Sequence, residues 1–129
     1  MTWVDEIDFD TEYLEIKNKT IGVSEAKALV ERLKFNTTIT SLDLRNNNIG
    51  ATGAEELAEL FKVNKTITKV DLRNNNIGAT GARALEEAFK LNESITWLNL
   101  NDNNIGATGA KKLAEAFKVN KTITKVSLN

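Results

Sequence analysis

Histidine and cysteine are both absent from the 129 residues, so the side chains that could do chemistry are carboxylates, arginines, lysines, threonines and two tryptophans. Lacking imidazole and thiol, the chain has no proton carrier tuned near neutral pH, no thiol nucleophile, no disulfide and no ordinary zinc ligands. Two spacings bring opposite charges together, Asp43 with Arg45 and Asp71 with Arg73. A carboxylate beside a guanidinium occurs in catalytic sites, but no nucleophile or tuned base joins these pairs. They read as exposed ion pairs on a strand face, worth about 0–1 kcal/mol each. No enzymatic activity, cofactor or metal is expected. Thr52, Thr80 and Thr108 recur beside glycines, where helix N-termini could seat an anion. Their spacing is not that of a phosphate loop, and the turns need those glycines for themselves. N-x-S/T triplets begin at Asn18, Asn36, Asn64, Asn92 and Asn120. Four of them fall where a helix must stop, which gives asparagine a backbone role and makes glycosylation the weaker reading. What remains is recognition: Trp97 stands one period from Lys69 and one from Lys125, and tryptophan with cationic neighbours suits a binding hot spot.

The elements that position these residues are repetitive. From Leu42 the chain reads LDLRNNNIGATGAEELAELFKVNKTITK; from Val70, VDLRNNNIGATGARALEEAFKLNESITW; from Leu98, LNLNDNNIGATGAKKLAEAFKVNKTITK. A weaker copy starts at Leu14, and a stub, Val126 to Asn129, follows the last one. Blocks recurring every 28 residues without insertion predict a solenoid in which each unit covers its neighbour's apolar face.

Within one unit, Ile39, Leu42, Leu44 and Ile49 read as a short strand leaving into a turn. Gly22, Gly50, Gly78 and Gly106 suit a turn that needs positive φ. Thr52 is the expected N-cap, completed by Glu55 as a capping box. Ala54, Leu57, Ala58 and Phe61 form the inward stripe of a helix. Opposite them, Glu31 with Lys34, Glu59 with Lys62, Glu87 with Lys90 and Glu115 with Lys118 are expected i,i+3 ion pairs. Asn64 is expected to end the helix in the left-handed conformation. Each helix carries the chain back over the sheet, so the strands must be parallel. Helices need about 10 Å of width and strands about 4.8 Å, which curves the stack with strands inside. The fold class is therefore α/β: a curved right-handed solenoid with parallel strands on the concave face and helices on the convex face.

The pattern L-x-x-L-x-L-x-x-N-x-I-G, followed by G-A-x-x-L-A-E-A-F-K-x-N-x-T-I, resembles the ribonuclease-inhibitor-like class of leucine-rich repeat. Ile39, Leu42, Leu44, Asn47, Ile49, Gly50, Gly53, Ala54, Leu57, Phe61, Asn64, Thr66 and Ile67 carry it, and it recurs in phase to Ile123. The resemblance implies protein–protein recognition, mostly by the concave face and repeat edges. The N-x-T-I tail is similar to that of the actin-capping tropomodulins, which makes an actin-capping fragment a further alternative. The loop asparagine of the class stands at Asn47, Asn75 and Asn103 but is Lys19 in the first copy.

These readings divide the chain into an N-terminal cap at 1–13, a degenerate first repeat at 14–41, full repeats at 42–69, 70–97 and 98–125, and a truncated strand at 126–129. Trp3, Val4, Ile7, Phe9 and Tyr13 are expected to cover the first edge of the core. At the other end Val126 and Leu128 are expected to lie uncovered and to invite self-association, as a homodimer or a self-assembling building block. The near-identity of GATGA and KVNKTITK between repeats is what recent duplication or consensus-style design leaves behind.

On the strands, one concave column reads Tyr13, Ser41, Lys69, Trp97, Lys125, the next Glu15, Asp43, Asp71, Asn99, Ser127, and the third Lys17, Arg45, Arg73, Asn101, Asn129. The first changes at nearly every rung while the core columns barely vary. Tyr13, Lys69, Asp71, Arg73, Trp97 and Lys125 are the candidate protein-binding residues. Outer helix charges drift from Glu55 and Glu56 through Arg83 to Lys111 and Lys112, a solvated face. A net charge of −1 gives no long-range attraction to nucleic acid. The opening MTWVDEIDFD lacks a basic stretch leading into an apolar one, and no segment approaches membrane-spanning length. The chain is thus expected to be a cytoplasmic, non-enzymatic interaction module or repeat scaffold whose partner is a protein or itself.

Overall fold

The computed structural model describes residues 2–129. A short 3₁₀ turn at Trp3–Glu6 leads into five strands alternating with four helices: β1 Tyr13–Glu15, α1 Val23–Leu33, β2 Ser41–Asp43, α2 Gly50–Val63, β3 Lys69–Asp71, α3 Gly78–Leu91, β4 Trp97–Asn99, α4 Gly106–Val119 and β5 Lys125–Ser127. The strands form one parallel sheet in chain order, each residue facing its counterpart in the next repeat, as Leu42 faces Val70 and Val70 faces Leu98. The architecture is the expected α/β solenoid.

The core is a continuous apolar layer between sheet and helices. Ile39, on the approach to β2, and Leu42, Leu44, Ile49, Ala54, Leu57, Ala58, Phe61 and Ile67 of the first full repeat are all buried, joined by Leu60, which lies outside the helical stripe read from the sequence. Phe61, Phe89 and Phe117 stack along the solenoid with ring centroids 5.7 and 6.1 Å apart. At the first edge Val4 is buried, and Trp3, Ile7 and Phe9 pack against the core. Arg32 fixes this segment, lying 4.8 Å above the Phe9 ring and 3.4 Å from Asp5. Tyr13 is not part of that cover: it is 52% exposed on the strand face.

Two asparagine ladders run through the stack. Asn47, Asn75 and Asn103 are buried. Each donates through Nδ2 to carbonyls of its own rung, just past the strand, and of the rung before it; Asn75 reaches Leu72 O at 3.1 Å and Leu44 O at 2.8 Å. Each accepts at Oδ1 from a backbone N–H of the rung before, as Asn75 does from Asn47 N at 2.9 Å. Lys19 fits this logic, because its N–H donates to Asn47 Oδ1 at 2.9 Å and among the described residues no rung precedes it for its side chain to serve.

The second ladder corrects an expectation. Asn64 is extended, with φ −68° and ψ 135°, not left-handed. Its Oδ1 accepts from Thr66 N and Ile67 N, and its Nδ2 donates at 2.9 Å to Leu33 O at the end of the preceding helix. Asn36, Asn92 and Asn120 donate in the same way to Phe9 O, Phe61 O and Phe89 O. The asparagine that ends one helix therefore caps the unit before it, which supports the backbone reading of these triplets.

Left-handed residues lie instead in the strand-to-helix loop, at Asn46 and Asn48, Asn74 and Asn76, Asp102 and Asn104. Gly50, Gly78 and Gly106 follow with φ of 69–73°, as expected; Gly22 does not, and sits extended as the N-cap of α1. Thr52 is not an N-cap either: α2 starts at Gly50 with no side-chain cap, and Glu55 closes no box. Gly50 N donates to Asn75 O and Ile49 N to Asn75 Oδ1, so the next repeat satisfies donors that a cap would otherwise serve. Of the four expected i,i+3 pairs only Lys62 with Glu59 forms, at 3.1 Å. Lys90 turns to Glu86 instead, also at 3.1 Å.

Candidate protein-binding face

Three-residue strands in strict register place equivalent side chains in rows across the inner face. The first row runs Tyr13, Ser41, Lys69, Trp97, Lys125: Tyr13, Lys69 and Lys125 are exposed, and Ser41 and Trp97 half-buried. Tyr13, Ser41, Lys69 and Trp97 border a hollow of about 400 Å³ whose floor is Leu42, Asp43 and Asp71. A larger hollow of about 640 Å³ lies beside it at the N-terminal edge, against Trp3, Ile7 and Tyr13. The first hollow is the better candidate, because it crosses the central strands and coincides with the row that varies.

The second row departs from expectation. Asp43 and Asp71 are only 5% and 8% exposed, so these ion pairs are not loose surface contacts. Arg45 Nε lies 3.0 and 3.1 Å from the two Asp43 oxygens, and Arg73 Nη2 lies 2.8 Å from Asp71 Oδ2. Arg45 also reaches Glu15 at 3.4 Å and Asp71 at 3.8 Å, which ties three strands together. The short strands end just here, and the arginine stems fold back over carboxylates set into the sheet surface. Tyr13 Oη donates to Asp43 Oδ2 at 3.1 Å.

Burial alone would push Asp43 up. Hydrogen bonds from the Arg45 side chain and backbone and from Tyr13 outweigh it and hold the carboxyl below the usual range. The Tyr13 phenol is pushed up, by partial desolvation first and then by its bond to the Asp43 carboxylate. An aspartate already saturated by arginine is a poor general base, so this row makes a rigid polar floor. Among the described residues no group of three or more His, Cys, Asp or Glu could hold a metal ion. Among the described residues no helix is long and apolar enough to cross a membrane.

The structure brings Tyr13, Lys69, Trp97 and Asp71 around one hollow, with Arg73 beside Asp71 and Lys125 next to Trp97. Val126 and Leu128 lie apart from it, on the last strand. Val126 is 36% exposed, whereas Leu128 is half-buried against the core and so only partly uncovered. Ser41 is the small residue that makes room between the aromatic walls, and its type alone does not mark it in the sequence, since only its neighbours' bulk makes it matter.

Residues 35–58, 63–85 and 91–114, more than half of the chain, match the family model described as Leucine Rich repeat. The chain belongs to the leucine-rich repeat family. Among solved structures, one described as leiomodin-1 actin-binding site 2 is similar with a TM-score of 0.85 and 28% identity, over 98% of this chain and 75% of that one. The tropomodulin C-terminal domain of Caenorhabditis elegans is similar with a TM-score of 0.81 and 18% identity, over 98% and 78%, and bears on the fold alone. No curated protein sequence matches significantly.

Proposed function

We propose that this chain is a non-enzymatic protein-interaction module that receives its partner on the concave strand face, centred on the hollow between Tyr13 and Trp97. One observation carries the reading. In a stack whose core columns barely change, the row that does change opens a hollow walled by two aromatics and edged by Lys69, above a floor of arginine-locked carboxylates. Aromatic anchors beside cations on a rigid floor are what binding centres are built from. Its carboxylates being fully engaged supports recognition over catalysis.

Actin is the partner to test first, favoured by the likeness to the leiomodin-1 actin-binding site. Co-sedimentation with filamentous actin and the rate of filament elongation read it directly. Wild type should bind, and Trp97→Ala should weaken binding at least about tenfold with little change in thermal midpoint. Absence of binding overturns the partner; equal binding by Trp97→Ala overturns the face. A second reading, self-assembly through β5, is favoured by the exposure of Val126 and by a strand paired only with β4 among the described residues.

A further inference from the structure

The helix ends carry a feature that the concave face does not use. The residue just before each helix-ending asparagine is apolar and exposed in every repeat: Phe35, Val63, Leu91 and Val119. Phe35 is 81% exposed, far more than its bulk allows without cost. Because the repeats are in register, these four side chains form one stripe along the edge where helices turn into strands. Between Phe35 and Val63 the stripe opens into a hollow of about 380 Å³, flanked by Lys34 and Lys65.

Charge along the stripe is one-sided. On the loop side stand Lys65 and Lys121, with Lys34 and Lys118 at the helix ends, and none of the four forms an ion pair among the described residues. Glu93 is the single anion in the loop column. On the opposite side, one helical turn back, stand Glu31, Glu59, Glu87 and Glu115. Those carboxylates would repel an anionic lipid surface, so the stripe is poorly suited to a membrane. Neighbouring helices in such a stack are spaced about 10 Å apart, and residues seven apart on a helix are separated by about 10.5 Å along its axis. A helix laid across the stack can therefore drop one apolar side chain per repeat.

We infer that this stripe docks an amphipathic helix of a partner protein, with apolar residues at heptad spacing and carboxylates along the flank that faces the lysines. The site is separate from the concave face, so its failure and that of the proposed function can be told apart. The probe is a fluorescent synthetic helix about three heptads long, with leucine at the heptad positions and glutamate on one flank, titrated by anisotropy. Wild type should bind it. The double variant Phe35→Ser/Leu91→Ser, altered only at exposed positions, should bind about tenfold more weakly or worse while melting at the same temperature. A peptide of equal composition without the heptad period should not bind, and mixed phosphatidylserine–phosphatidylcholine vesicles should not sediment the protein. No peptide binding, binding that ignores the double variant or the peptide's periodicity, or vesicle binding that the double variant abolishes would each overturn the inference.

Discussion

Replacing Asn75 by alanine tests the physical basis of the stack. Asn75 is fully buried, and its carboxamide serves five backbone groups. The carbonyls it touches keep other donors when it is cut back: Leu44 O retains Asn47 Nδ2 at 2.9 Å, Leu72 O retains Asn103 Nδ2 at 2.8 Å, and Arg73 O retains Asn46 N at 3.1 Å. The N–H groups do not. Asn47 N, at 2.9 Å, and Ile49 N, at 3.4 Å, have no other acceptor, so both would be left buried and unpaired. An orphaned buried donor costs about 1–3 kcal/mol. The longer Ile49 contact contributes at the lower end, about 1 kcal/mol, which sets the expected loss at about 2–4 kcal/mol. In urea denaturation followed by circular dichroism, the midpoint should fall without a change of slope. Lys19→Asn is the matched control. It adds an asparagine to a rung with no earlier rung to serve, and stability should move by no more than about 0.5 kcal/mol. A loss below about 1 kcal/mol for Asn75→Ala, or equal effects for both variants, would refute the ladder argument.

The Asp43 carboxyl is held below the usual carboxylate range by its bonds to Arg45 and Tyr13, so its stabilising contribution is complete above the unfolded-state pKa and fades as pH falls through the lower folded-state pKa. The stability gap between wild type and Asp43→Asn should therefore close as denaturation is repeated toward strong acid; a constant gap would show that the carboxylate's charge is immaterial. Gly81 is a close-approach position: an added Cβ would collide with Ile77 Cγ2 and lie 3.2 Å from Ala54 Cβ of the neighbouring helix. Gly81→Ala should cost about 1–3 kcal/mol by overpacking, measurable as a lower thermal midpoint, and an unchanged midpoint would mean that the helices can part freely. Sedimentation equilibrium over a wide concentration range reads the β5 edge. If wild type associates, Val126→Lys should leave it monomeric, and association that survives the substitution would reject that edge.

Much of the architecture is legible in the sequence because the same pattern is written out three times and a fourth in weaker form. Strand, loop, helix and parallel register follow from it. What escaped is what one repeat does for another. Asn64 reads as a local helix stop, yet its carboxamide nitrogen bonds a carbonyl 31 residues earlier, which no local pattern encodes. Thr52 reads as a cap because caps are usually local, but the donors at the start of α2 are met by Asn75 of the next unit. The aspartates read as exposed because strand alternation places them outward. Arg45 and Arg73 then cover them, and that depends on how the guanidinium groups fold back. Lys90 prefers Glu86 because only this repeat has a carboxylate in that column, where the others have Val30, Ala58 and Ala114. The exposed stripe was hidden for the opposite reason: Phe35, Val63, Leu91 and Val119 have the composition of core residues, and only geometry turns them outward.

The two tryptophans give the most direct test of the central claim. Trp97 borders the proposed binding hollow, and Trp3 lies outside it at the N-terminal edge. Protein labelled with 5-fluorotryptophan gives one fluorine resonance for each, assigned by single substitution. On titration with monomeric actin, the account predicts that the Trp97 resonance shifts to saturation while that of Trp3 holds its position. Saturable binding in which Trp97 keeps its shift would place the interface elsewhere, and contradict the concave face as the site of recognition.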